Sequence, residues 1–326
     1  MPRPAIAFVA TAAAVLLVSG CAAAQISAPA PGRDAPDTMA IVTLARALSH
    51  DSMKGRGPWT PENSAAARRL ASELATLGAK PLVGSSLLVP FVTRDRPADT
   101  VYNVIGVLPS RTGTVTGELI GITSHLDHLG IGAADSSGDT IYNGFLDAAL
   151  PNAMVLDVAR RYRASPGDRP LAVVFFNLEE RGLLGAIALA DHPDAEALFA
   201  RFNLVIGVDA GAPAGEPVAW SVMGALPPHP AALLADSIAR SHGWTLRPSA
   251  PRPISDVYVF ASKGIPILFP IPGPEWKGYT LEQRLFAMHR WDHYHKPSDQ
   301  WVADFPLVGT AAFAQWLWEI VRETSK

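Results

Sequence analysis

The chain is expected to fold as an α/β protein, a three-layer α/β/α sandwich around a mixed, mostly parallel central sheet. Three observations predict this. From about residue 101 onward, short apolar runs of strand character alternate with helical segments. Residues 171–177 (Leu-Ala-Val-Val-Phe-Phe-Asn) form a continuous apolar run, as a central strand buried on both faces requires. No internal repeat and no second domain is visible after residue 38.

The elements follow in order. A helical pattern covers 38–49. A second helix covers 61–77, with apolar positions at Ala65, Leu70, Leu74 and Leu77 and a stop at Gly78. Between them, Met53-Lys54-Gly55-Arg56-Gly57-Pro58 is a turn-rich loop. Residues 101–108 and 117–124 read as strands, 151–162 as a helix, 182–190 as a helix and 204–208 as a strand. Residues 229–242 read as a helix, 265–269 as a strand and 306–323 as the closing helix.

Composition bounds the function. A chain of 326 residues, 48% of them apolar, can bury a large core in one α/β domain or two ordinary ones. The net charge is −3 with no long basic run, which gives no sign of nucleic-acid binding. Twenty-nine prolines favour ordered loops over long uninterrupted helices.

The first 20 residues read as a targeting segment. Arg3 precedes an apolar run over 5–18, too short for a comfortable membrane span. The run ends in Leu17-Val18-Ser19-Gly20-Cys21, which resembles a bacterial lipoprotein signal. Cleavage before Cys21 would leave its thiol to carry lipid, and residues 21–37, rich in Ala, Pro, Gly and Ser, would tether the domain at 38–326. The expected location is the bacterial cell envelope, facing the periplasm or exterior. An ordinary signal peptide cut near Ala24, giving a secreted protein, is the alternative. Cys21 is the only cysteine, so the mature domain has neither an internal disulfide nor a catalytic thiolate.

Five stretches carry ionisable residues at strand ends or in the loops that follow, where α/β folds place their sites. In Ser124-His125-Leu126-Asp127-His128, His125 and Asp127 share one side of a strand, so a carboxylate can orient an imidazole. A structural hydrogen-bonded pair would look the same. Asp147 precedes a helix and could be a carboxylate held between two metals, but read alone it favours a helix cap. Glu179-Glu180 follows the buried 171–177 run. One acid can bind a metal while its neighbour takes a proton from water, or both can be solvated. Asp209 follows an apolar strand. In Trp291-Asp292-His293-Tyr294-His295, the two histidines compete as ligands. Imidazoles and carboxylates gathered in this way suit zinc.

The ordered set of His-x-Asp, Asp, Glu-Glu, Asp and His resembles the zinc-dependent aminopeptidases related to bacterial leucyl aminopeptidase and glutamate carboxypeptidase. Glu179-Glu180-Arg181-Gly182-Leu183-Leu184-Gly185 is the strongest single piece. The likeness extends to Gly55-Arg56-Gly57, Leu77-Gly78 and Asn103-Val104-Ile105-Gly106. It implies two Zn²⁺ ions held by His125, Asp147, Glu180, Asp209 and His295, with Asp147 bridging. It implies Glu179 as general base and Asp127 as the residue that orients His125. The position of the final His before a Pro and an Asp selects His295 over His293. The implied reaction is amide hydrolysis on a peptide or small amide substrate, of aminopeptidase type. Carboxypeptidase or glutaminyl cyclase chemistry on the same scaffold, and a non-catalytic binding relative, are the alternatives. Two departures stand out. After Asp147 the family pattern of Asn-Ala, a small residue and Gly becomes Ala148-Ala149-Leu150-Pro151. In the Ser255-Asp256 stretch, Val257 replaces the family's His.

Overall fold

A computed structural model describes Met1 and residues 34–209, 211, 215–272, 275–278 and 293–326. Most of the expected leader, Cys21 and the tether as far as residue 33 lie outside the described residues.

The first two helices are set by their caps. Asp37 accepts the Ala40 N–H at 3.0 Å to start α1 (Thr38–Leu48). Thr60 accepts the Asn63 N–H at 3.1 Å ahead of Pro61, which opens α2 (Pro61–Thr76). The strands β1 (Lys80–Pro81), β2 (Leu88–Thr93) and β3 (Arg96–Leu108) follow, then β4 (Leu119–His125). A small ribbon pairs β5 (Gly130–Ile131) with β6 (Ile141–Tyr142). The helix α3 (Leu150–Ala164) leads to β7 (Leu171–Phe176), α4 (Leu184–Ala190), α5 (Ala195–Phe199) and β8 (Phe202–Gly207). Then come β9 (Ala219–Gly224), α6 (Pro230–Ser241), β10 (Thr245–Ser249), α7 (Val257–Ser262) and β11 (Ile267–Pro272), and α8 (Leu307–Thr324) closes the chain.

Among the described residues the main sheet has nine strands in the order β1-β3-β7-β4-β8-β11-β9-β10, with β2 on β3. The central strands β7, β4, β8 and β11 run parallel, while β3 and β9 join them antiparallel. The sheet is therefore mixed, with a parallel centre, as expected from sequence. Period-two alternation sends Ile120, Ile122, Val173, Phe175 and Ile206 to one face, under α1, α2, α3, α6 and α8. Leu119, Val174, Phe176 and Val205 go to the other, under α4, α5 and α7. Every residue of β4 and β7 is buried, and each large side chain there contributes about 1.5–3 kcal/mol.

The parallel centre positions the chemistry. β4, β7 and β8 all end at the same edge, so His125, Glu179-Glu180 and Asp209 emerge side by side.

Arg56 ties the surrounding loops together. Its side chain is fully buried and donates to the carbonyls of Leu48, Leu126, Asn143 and Gly144 at 2.8–2.9 Å. Burial lowers its pKa to about 10, against the pull of Asp147, Asp299, Asp127 and Glu180, so it stays cationic at neutral pH. Arg56→Met is expected to destabilise the fold by about 3–5 kcal/mol, because four buried carbonyls lose their donor and the nearby acids lose a positive charge. Urea unfolding of the two proteins tests this, and a difference within about 0.5 kcal/mol would rule the clamp out.

Candidate metal centre

Five segments bring the acids and histidines together, of which three carry the histidines and the double acid. The first is the end of β4. His125 Nε2 lies 3.0 Å from Asp209 Oδ1 and 3.1 Å from Asp147 Oδ1. The second is the turn after β7. Leu178, fully buried, holds a left-handed φ of 57°, and Gly182 and Leu183 continue at 92° and 63°. A side-chain amide network supports that conformation. Asn177 and Asn63 exchange hydrogen bonds at 2.8 and 2.9 Å, and the Asn177 Oδ1 also accepts the Leu178 N–H at 2.9 Å. The third is the segment after residue 292, where His295 holds a φ of 55°. Its Nε2 lies 3.1 Å from Glu180 Oε2 and 3.3 Å from Asp147 Oδ2.

Asp147 is the only one of the five with an oxygen toward each histidine. It reaches this position although its loop departs from the family pattern. Asp299 accepts the N–H groups of Leu146 and Asp147 at 2.9 and 3.2 Å, and so anchors the loop from across the chain. His293 is turned elsewhere, with its Nδ1 2.7 Å from Ser298 Oγ.

Asp127 is fully buried below the cluster. It accepts the N–H groups of Glu179 and Glu180 at 3.1 and 3.3 Å, and its Oδ1 stands 3.7 Å from His125 Nδ1. Its hydrogen bonds therefore hold the double-acid turn, and at 3.7 Å it is outside hydrogen-bond reach of the imidazole.

The donor set fits a cation. Among the described residues, Asp147 Oδ2 and His295 Nε2 are buried without an aligned hydrogen bond, although they lie 3.3 Å apart. The imidazole–carboxylate contacts of 3.0–3.3 Å have the spacing of neighbouring ligands on an ion, where bonds of about 2.0–2.1 Å separate tetrahedral ligands by about 3.3 Å. Three carboxylates held this close also need positive charge between them. His125, Asp147 and Asp209 form one such group. Asp147 and Glu180 belong to a second, in which the neighbouring imidazole is His128.

Electrostatics separate the two adjacent acids. Burial works against the Glu180 carboxylate, but the His128 and His295 nitrogens outweigh it and hold the pKa down to about 2. Burial pushes Glu179 up to about 8, with Asp209, Asp127 and Glu180 adding to the rise and His125 opposing it. Burial and then Glu179 push Asp256 well above its ordinary value. Contacts with Asp147 and Glu180 raise His295 to about 10.

A pH dependence of the metal-free protein follows. Glu179 and His295 bind protons more tightly folded than unfolded. The stability they confer is lost as pH rises from 4.5 through about 8 for Glu179, and from 6.5 through about 10 for His295. Glu180 has the opposite sign, its contribution being lost only as pH falls from 4.5 toward about 2. The chelator-treated protein should therefore unfold at a lower temperature near about pH 9 than near about pH 6. A midpoint that rises over this range would contradict the assignment.

Sequence reasoning missed three buried contributors. Arg56 was visible only as part of a turn. Asp299 bonds to backbone groups more than 150 residues away, which leaves no local pattern. His128 had no partner in sequence, yet its Nδ1 lies 2.7 Å from Glu180 Oε1.

An α/β sheet that carries a cluster of histidines and acids at the carboxyl edge of its parallel strands is the arrangement of a candidate metal centre. Residues 103–317 match the model of peptidase family M28, and the chain belongs to that family. No curated protein sequence matches it. Among solved structures, it is similar to the zinc aminopeptidase BSAP of Bacillus subtilis, with a TM-score of 0.66 and 15% identity over 89% of this chain and 95% of that one. It is equally similar to Porphyromonas gingivalis glutaminyl cyclase, with a TM-score of 0.66 and 16% identity over 89% and 99%. The LapA aminopeptidase of Legionella pneumophila gives 0.65 and 16% over 89% and 70%. At these identities the likeness establishes the fold.

Proposed function

We propose that the protein is a di-zinc aminopeptidase that removes N-terminal residues from peptides. The observation that carries this reading is the convergence of five donor side chains around the shared carboxylate of Asp147, with Glu179 beside them. His125 and Asp209 would hold one ion, Glu180 and His295 the other, and Asp147 both. Bound there, the ions supply Lewis acidity and ease the ionisation of water. Glu179 takes a proton from the attacking water and returns it to the leaving amine. In the metal-free protein burial already raises its pKa, toward the range in which a proton carrier works best. Asp127 keeps Glu179 and Glu180 on opposite tasks by fixing their backbone N–H groups. The lipoprotein-like leader supports attachment at the cell envelope through Cys21.

The likeness to a glutaminyl cyclase favours one second reading, cyclisation of N-terminal glutamine on the same scaffold. A panel of aminoacyl, N-blocked and N-terminal-glutamine substrates with the zinc-loaded protein separates the two. Hydrolysis confined to free-amine substrates supports the aminopeptidase, whereas release of ammonia from glutaminyl peptides alone would replace it with the cyclase.

A further inference from the structure

We infer that His128 is a positioning residue for the metal centre, donating its Nδ1–H to Glu180 Oε1 and thereby turning Oε2 toward the ion. The inference rests on the reading of Glu180 and His295 as ligands. It concerns a side chain outside the five-ligand set.

His128 follows β4 by three residues and is fully buried. Its Nδ1 stands 2.7 Å from Glu180 Oε1 and 3.8 Å from Asp147 Oδ2. The distances separate two roles. The four imidazole–carboxylate contacts within the five-residue set measure 3.0–3.3 Å. A separation of 2.7 Å is shorter than neighbouring ligands adopt and matches a hydrogen bond to a carboxylate. The two oxygens of Glu180 are also divided. Oε1 faces His128, while Oε2 lies 3.1 Å from His295 Nε2. The terminal torsion of a glutamate is broad and nearly two-fold, so an unrestrained carboxylate presents either oxygen, or both. A donor on Oε1 removes that freedom.

The seat of the imidazole is built for it. Gly144 adopts a left-handed φ of 57°, and a Cβ there would lie 2.6 Å from His128 Cγ and Cδ2. The ring therefore packs directly on the Gly144 backbone, whose carbonyl Arg56 holds at 2.9 Å. Among the described residues no hydrogen bond reaches Nε2, which places the proton on Nδ1, where it has an acceptor.

The test compares zinc affinities of the full chain, wild type against His128→Leu and His128→Asn, by competition with a chromophoric chelator. Leu fills the space without a donor, while the Asn amide N–H restores one near the Nδ1 position. Loss of the donor is expected to weaken one of the two zinc affinities by about 10–100-fold, and Asn is expected to recover most of it. Unchanged affinity in the Leu variant would overturn the inference. So would an Asn variant as weak as Leu, because a ligating imidazole cannot be replaced by an amide N–H. A wild type that binds fewer than two zinc ions overturns the ligand reading instead, and is seen before any variant is made. If the Leu variant does not fold, NMR of the zinc-loaded wild type with labelled histidine decides the question. A proton on His128 Nδ1 supports donation, and metal bound there excludes it.

Discussion

Glu179→Gln is expected to retain both zinc ions and to lower turnover by about 10²–10⁴-fold, the range that a positioned acid–base group contributes. The amide keeps the shape and the hydrogen bonds of the side chain but cannot accept a proton from water. Its neighbours are unaffected because Asp127 holds the turn through the backbone N–H groups of residues 179 and 180. The pH profile should change as well. In the metal-free protein Glu179 is held up to about 8 by burial and by the acids around it. Bound cations offset those acids, so the limb that Glu179 sets on kcat/KM should lie below that value and disappear in the variant. Zinc content measured alongside steady-state kinetics makes the test specific. Retained turnover would remove Glu179 from the proton-transfer role.

Asp147→Ala is expected to abolish activity and to reduce zinc from two ions per chain to one or none. Its Oδ1 lies 3.1 Å from His125 Nε2 and its Oδ2 3.3 Å from His295 Nε2, so both halves of the centre lose a ligand at once. Asp147→Asn sharpens the result. One oxygen remains to serve one half, while the amide nitrogen cannot ligate the other, so one zinc per chain is expected. The Asp147 N–H, the Asp299 carboxylate and the Arg56 guanidinium stay in place in both variants, and near-UV circular dichroism should match wild type. An Asn variant that binds two ions with wild-type affinity would show that the carboxylate does not bridge.

Much of this organisation was legible in the sequence, for physical reasons that can be named. The 171–177 run is apolar because β7 is covered on both faces and all six of its residues are buried. His125 and Glu179-Glu180 were visible because polar side chains interrupt strand patterns at their ends. The helices over 38–49, 61–77 and 306–323 agree with α1, α2 and α8 to within a residue or two, since their caps and apolar spacing are local. By contrast, β10 escaped because the exposed edge sequence Thr-Leu-Arg-Pro-Ser carries no alternation. At Asp147 the bridging carboxylate and the helix cap have the same local signature. The choice of His295 over His293 depends on Ser298 drawing one ring away and on a left-handed backbone aiming the other inward. His128 and Asp299 act through contacts 52 to more than 150 residues distant, and Arg56 through three of its four carbonyls 70 to 88 residues away, and no periodicity reports such pairs.

The central claim is a two-ion centre shared through Asp147. Metal analysis of the purified chain, stripped with chelator and reloaded with excess zinc before desalting, tests it most directly. Two zinc ions per chain, with activity returning in step with the second, is the expected result; a protein that retains none, or that is fully active with one, contradicts it.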